Sequence, residues 1–240
     1  MTPATAAAPA SREATRRLLL ASASPRRREL LVLLGVSFTV VASRFDEETL
    51  RDLAASDPVA YVRAAAAGKA EEVAKRRAGL ILGVDTDVVA PDGTVLGKPA
   101  DAADAGRMLR SLSGKTHTVY SAVALLESDG RGGVARRAER LVATRVTFAE
   151  LSDTAIDAYV ATGEPRDKAG AYAVQGRAMP FVTRLDGDPS NVIGLPLATV
   201  AAMLEGFGVA LWRYTVDDRA GADPAGDPTP PLITVPDRTR

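Results

Sequence analysis

The sequence predicts an α/β fold, with helices layered on a mixed central sheet. Three observations carry this. Helical and strand patterns alternate along the chain from about residue 18 to residue 216. At least one antiparallel hairpin interrupts that alternation, which a purely parallel sheet would not contain. The chain has 240 residues, 46% hydrophobic and 25% charged, so it can bury a full core as one domain or two intimately joined lobes.

Leu18–Ala21 is an apolar run of strand type, and Arg26–Leu34 follows as a helix. Pro25 suits a first helical position, because its missing N–H is one that the helix start cannot satisfy; Ser24 before it is a natural N-cap. Ser37–Val41 alternates as a strand. Pro58–Arg77, rich in alanine and long charged residues, is a long helix. Leu80–Val89 is a buried strand, and the turn Pro91-Asp92-Gly93 sends Thr94–Leu96 back as its partner. Asp101–Leu112 is a helix stopped by Gly114. Thr116–Leu126 is a long strand, Ser128–Gly133 a glycine-rich turn, and Leu141–Phe148 the antiparallel return. Ser152 or Asp153 caps a helix running to Thr162. Gly163–Gly170 is a charged loop that runs on into residues of strand character. Pro196–Phe207 is a helix, and Leu211–Val216 a last strand.

Residues 1–15 (Ala, Pro and Thr without period) and the Pro/Gly/Asp-rich stretch 217–240 are expected to be a disordered leader and tail around a domain over 16–216. Lysine plus arginine and aspartate plus glutamate each number 30, so no overall field draws in nucleic acid or an acidic membrane surface. There is no cysteine, which excludes disulfides, thiolate metal sites and cysteine nucleophiles. The N-terminal stretch lacks the order of a secretory signal, and no apolar run reaches the length of a membrane span. A soluble, cytoplasmic protein is expected.

The chemistry concentrates first in LLLASASPRRRELL, residues 18–31. Read as strand, tight turn and helix start, it brings free N–H groups, Ser22, Ser24 and three arginines to one place. Helix-end donors and arginine forks together grip phosphate oxygens. The alternative is a capped helix with a solvated basic first turn; Arg26, Arg27 and Arg28 there oppose the helix macrodipole, which favours an expected anion. Asp85 and Asp87, in Gly83-Val84-Asp85-Thr86-Asp87, lie two apart and share one face of an extended strand. Such a pair can hold a hard divalent cation or divide the work between metal and general base; the alternative is turn acids at the strand's mouth. The hairpin returns Lys98 beside the acidic strand, as a phosphate-binding point charge or an ordinary loop lysine. The loop 163–176 is dense in glycine and charge and ends in Gln175, whose amide can read a base, or is a plain surface loop. Two features carry no chemistry. Leu112-Ser113-Gly114-Lys115-Thr116 lacks the earlier glycine of a P-loop, since position 109 is leucine. His117, the sole histidine, has no partner motif and is structural.

Taken together these residues resemble the Maf (septum-formation-inhibitor) family of nucleoside triphosphate pyrophosphatases. The matching pieces are ASASPRRRELL (21–31), GVDTDVV (83–89) with LGKP (96–99), LRSLSGKTHTVYSAVAL (109–125), YVATGEPRDKAGAYAVQG (159–176) and NVIGLPL (191–197). They stand in the family's order and cover about Leu18 to Tyr214. The DKAGAY…QG form is similar to the branch acting on dTTP and UTP. The resemblance implies a Maf/ITPase-like fold: an elongated mixed sheet flanked by helices, in two lobes with a cleft between them. It implies Asp85 as catalytic acid group, Ser22, Arg26, Arg27, Lys69 and Lys98 on the phosphates, and Arg27, Thr86 and Gln175 setting base specificity. Asp85 and, from the acidic stretch Asp46-Glu47-Glu48, Glu47 are the implied metal contributors. The implied cofactor is a divalent cation, Mg²⁺ foremost, with Mn²⁺ or Co²⁺ as alternatives, and the implied partners are a nucleoside triphosphate and a second copy of the chain in a homodimer. Asp87 departs from the family, whose members usually carry an apolar residue there. The expected activity is hydrolysis of dTTP, UTP and modified pyrimidine nucleotides to monophosphate and pyrophosphate. The alternative is a nucleotide-binding regulator of cell division without turnover.

Overall fold

A computed structural model describes residues 17–212. The expected leader (1–15) and the tail from 217 lie outside the described residues. Strand β1 (Leu18–Leu20) is buried at every residue, because it sits between two parallel neighbours, β2 (Phe38–Val40) and β3 (Ala78–Val89). A strand covered on both faces needs a continuous apolar run, and Leu18-Leu19-Leu20 supplies it. β3 turns at Asp92, whose carboxylate accepts the Thr94 N–H at 2.9 Å, and returns as β4 (Val95–Leu96). Strands β5 (Thr116–Asp129), β6 (Val134–Phe148) and β7 (Val182–Asp186) extend the sheet antiparallel, in the order β2-β1-β3-β5-β6-β7 with β4 on β3. The architecture is the expected mixed sheet, elongated by the long β5–β6 ribbon and flanked by helices.

Helix α1 (Pro25–Val32) follows β1, α2 (Arg51–Ser56) precedes α3 (Pro58–Ala74), and α3 lies along one face of β3. Asp57 caps α3 by accepting the Val59 and Ala60 N–H groups, with Pro58 in the first turn. The packing of α3 on β3 depends on small residues. A Cβ at Gly83 would stand 2.3 Å from the Ala66 carbonyl oxygen and 2.7 Å from the Ala70 Cβ. On the other face, Leu80, Leu82 and Val84 of β3 join Leu30 and Leu31 of α1 and Val200 and Leu204 of α7 (Leu197–Gly206) in one core cluster. A second cluster gathers Val88, Val119 and Phe148 with Leu109 of α4 (Ala102–Leu112) and Ile156 of α5 (Asp153–Ala161). The short helix α6 (Pro189–Ile193) links the two, and the cleft opens between them.

Several expectations need correction. Ser24 holds the N-cap position of α1, but its side chain caps nothing. β6 begins at Val134, seven residues before the expected Leu141, because β5 supplies a pairing edge that its exposed residues do not advertise. Residues after Gly170 form turns instead of strand: Gly170 and Ala171 take φ of 67° and 59°, outside any extended conformation. Leu211 and Trp212 are not strand either. Trp212 has φ 60° and donates its N–H to the Leu34 carbonyl at 2.9 Å; residues 213–216 lie outside the described residues. Among the described residues no helix is long and apolar enough to cross a membrane.

Candidate active site

The turn from β1 into α1 forms one wall of a cavity of about 570 Å³ at the ends of β1 and β3. The three arginines of α1 diverge there, because successive helical residues point about 100° apart. Arg27 points into the protein. Its Nε donates to the Gly194 carbonyl at 2.9 Å, Nη1 to the Val84 carbonyl at 2.9 Å and Ser22 Oγ at 3.1 Å, and Nη2 to Thr86 Oγ1 at 3.2 Å. Burial lowers the pKa of this guanidinium, while the charges of Asp85, Glu47 and Asp87 oppose the shift. Arg26 lies on the cavity wall and reaches across the mouth: Nη1 donates to Asp167 Oδ2 at 2.8 Å and Nη2 to the Asp167 carbonyl at 3.3 Å. Arg28 is exposed to solvent away from the cavity.

Thr86 is half-buried among polar partners on the Arg27 side of β3, with Ser121 Oγ at 2.8 Å and the Gly194 carbonyl at 3.3 Å. Asp85 and Asp87 point to the opposite face, toward α3. Lys69 descends from α3 and donates to Asp85 Oδ1 at 2.6 Å; its Nζ also lies 2.9 Å from Glu47 Oε1. Asp85 and Asp87 are both buried and both line the cavity. Burial first, then the charge of Asp85 and a hydrogen bond to it, push the Asp87 carboxyl well above the usual carboxylate range.

Lys98 stands exposed at the cavity mouth, two residues past Leu96, which pairs with Val88. Gln175 also lines the cavity and is exposed at its rim. Lys168 donates to Asp167 Oδ1 at 2.6 Å and completes the basic rim. Burial pushes the Asp167 carboxyl up, but hydrogen bonds from Lys168 and Arg26 outweigh it and hold the group at about 2. His117 is buried in the second core cluster with Nε2 at 2.8 Å from the Tyr172 hydroxyl, a structural place. Sequence reasoning missed Tyr61. It lines the same cavity, and burial and the surrounding carboxylates raise its pKa. The available signal was its place on α3 eight residues, about two turns, before Lys69.

The expected residues thus meet in one cleft: Ser22, Arg26 and Arg27 from the first turn, Lys69 and Glu47 over Asp85, and Thr86, Lys98 and Gln175 around the rest. A divalent cation fits this donor set. Among the described residues no three His, Cys, Asp or Glu side chains form a ready metal cage. However, Asp85 and Asp87 each keep a buried Oδ2 with no hydrogen-bond partner. Carboxylate oxygens in that number suit a hard cation whose remaining ligands are phosphate oxygens and water.

Fold and cleft together define an α/β protein able to hold a polyphosphate between a basic rim and an acidic floor. The chain belongs to the Maf-like protein family, whose model matches residues 17–207. It is 51% identical over 198 residues to the dTTP/UTP pyrophosphatase of Moorella thermoacetica, covering 82% of this chain and 97% of the relative. It is 49% identical over 195 residues to the protein of the same name from Anaeromyxobacter dehalogenans (81% and 96% covered). A third, from Hahella chejuensis, is 43% identical over 201 residues (82% and 95% covered). Among solved structures, a HAM1 protein from Coxiella burnetii aligns over 80% of this chain and 99% of its own, at 15% identity and a TM-score of 0.40.

Proposed function

We propose that the protein is a nucleoside triphosphate pyrophosphatase acting on dTTP and UTP, and on modified pyrimidine triphosphates, through the domain over 16–216. The observation that supports it most is the Lys69–Asp85 pair, held at 2.6 Å on the floor of a cleft rimmed by Arg26, Lys98 and Lys168. A protein that only binds nucleotide has no need of that pair. The relatives above carry an enzyme's name, so nothing favours the binding-module alternative. In this reading the protein is cytoplasmic and acts, as a homodimer, on free nucleotides apart from nucleic acid.

The triphosphate enters tail first and takes Arg26 and Lys168 from Asp167, exchanging one anion for a stronger one. Ser22 and the N–H groups of the first turn face the same phosphates. Lys98 neutralises the chain from the opposite wall. Lys69 fixes Asp85 through Oδ1, and the carboxylate so held orients the attacking water. The water oxygen bonds to the α-phosphorus as the bond to the bridging oxygen breaks; the electron pair leaves on pyrophosphate and the water proton is taken up at the acidic floor. A bound divalent cation, Mg²⁺ in this proposal, supplies charge neutralisation and polarisation of the phosphoryl group. Positioning and electrostatics suffice, because phosphoryl transfer asks little covalent chemistry of the protein. Gln175 at the rim reads the pyrimidine edge.

Purified protein with Mg²⁺ should release pyrophosphate from dTTP and UTP faster than from CTP or purine triphosphates. Asp85→Asn should lose about a hundredfold or more in turnover, with nucleotide binding kept within a few-fold. Gln175→Ala should narrow the preference for dTTP over CTP. No pyrophosphate release from any triphosphate, or wild-type rates in the Asn variant, would overturn the proposal.

A further inference from the structure

We infer that Asp87, together with Asp85, forms the carboxylate seat for the divalent cation, and that Glu47 does not. The inference rests on the pyrophosphatase reading only for what the cation does; the seat itself rests on the geometry.

Two carboxylates on one strand face, each nearly stripped of water, repel one another and are costly to bury without counter-charge. Asp85 is 5% exposed and Asp87 9% exposed. Lys69 answers one oxygen of Asp85 and no more. Among the described residues no lysine or arginine pairs with Asp87, and Oδ2 of both residues is left without a hydrogen-bond partner. Buried carboxylates left in this state are either paired or coordinating, as a rule. A single divalent cation against the pair gives both orphaned oxygens a partner, in place of the hydrogen bond between the two carboxyls.

Glu47 is differently placed. Its Oε1 lies 2.9 Å from Lys69 Nζ, its side chain is 44% exposed, and it forms no three-carboxylate group with the other two. Water and Lys69 already satisfy it. Glu47 therefore holds Lys69, and Asp87 supplies the second ligand. A two-carboxylate seat suits a hard cation whose remaining ligands are water in the free protein and phosphate oxygens once a nucleotide is bound.

The test is Mn²⁺ binding to the full-length protein without nucleotide, followed by the loss of the free-ion electron paramagnetic resonance signal. Wild type should bind one equivalent. Asp87→Val, which fits an apolar strand, should weaken binding about tenfold or more. Glu47→Gln should weaken it less than about threefold. Asp87→Asn keeps size and shape and carries the same expectation, so a folding defect in one variant leaves the other to decide. No binding by wild type, unchanged binding in both Asp87 variants, or a larger loss from Glu47→Gln than from Asp87→Val would each overturn the inference. Because no nucleotide is present, a protein that holds Mn²⁺ through Asp87 but hydrolyses no triphosphate refutes the pyrophosphatase reading and leaves the seat intact. Hydrolysis with binding indifferent to Asp87 does the reverse.

Discussion

Arg26, Arg27 and Arg28 are neighbours in the chain and occupy three different environments. Arg26 meets the cavity, Arg27 the interior and Arg28 the solvent. Their replacement by lysine should therefore fail in three different ways. Arg26→Lys should lose activity with stability unchanged, since a point charge cannot reproduce a fork on phosphate. Arg28→Lys should change neither. Arg27→Lys should cost about 3 kcal/mol of stability, because one ammonium cannot serve acceptors at Gly194, Val84, Ser22 and Thr86 and leaves buried ones unpaired. Urea unfolding and steady-state rates on the three variants separate these outcomes; Arg27→Lys at wild-type stability would show the fork to be dispensable. That the three arginines gather at the turn into one helix was legible in the sequence. Which one faces inward was not, because the acceptor that turns Arg27 comes from Gly194, 167 positions away. Gln175 shows the same limit: its amide could be named, but its exposure at the rim depends on the left-handed turn at Gly170 and Ala171.

Elements with a clear apolar period were read correctly, and those without one were not. β1, α1, α3, β3, the β3–β4 turn, α4, β5, α5 and α7 all carry either a buried run or a capping signal, and stand within a few residues of expectation. β7 does not: its residues are exposed or half-buried throughout, as suits a short outer strand, so nothing in Val182–Asp186 alternates. The first half of β6 is likewise exposed and charged, and exists because β5 pairs with it. α2 and α6 are too short for a period to show. The element that decides the site is α3, since its depth on β3 sets where Lys69 meets Asp85. Gly83→Ala would place a methyl 2.3 Å from the Ala66 carbonyl and force the helix outward. It should cost about 1–3 kcal/mol and lower turnover together, by lengthening the Lys69–Asp85 contact. Turnover at the wild-type rate in this variant, measured beside its urea midpoint, would show that the helix can shift without carrying Lys69 away.

At the scale of the whole molecule, acid should unfold the protein in two stages. Burial pushes the His117 imidazole down from the usual 6.5 to about 4, so the fold holds it neutral. As pH falls below about 6.5 the unfolded chain takes a proton that the fold refuses at His117, and this group's contribution drops by about 3 kcal/mol by pH 4, partly offset by Asp87, whose raised carboxyl acts with the opposite sign. The carboxyls of Asp167 and of Glu72 on α3, the latter held by hydrogen bonds from Arg76 and the Arg44 N–H, sit at about 2 in the fold and act with the same sign at lower pH; their contribution disappears as pH falls from about 4 toward 2. His117→Phe should flatten the first stage and leave the second. It should also lower stability at pH 7, because the Tyr172 hydroxyl loses its partner. An unchanged loss between pH 6.5 and 4 in that variant would place the acid sensitivity elsewhere. One tie described above also governs when the protein can first exist as itself. Arg27 finds its full set of acceptors only when the backbone carries Gly194, 167 residues later. On the ribosome, the segment that bears Asp85 and Lys69 emerges with an arginine committed to an interior that has not yet been made. A chain that stops ahead of residue 194 lacks the Gly194 acceptor, and under the proposed function such a truncation is expected to release no pyrophosphate.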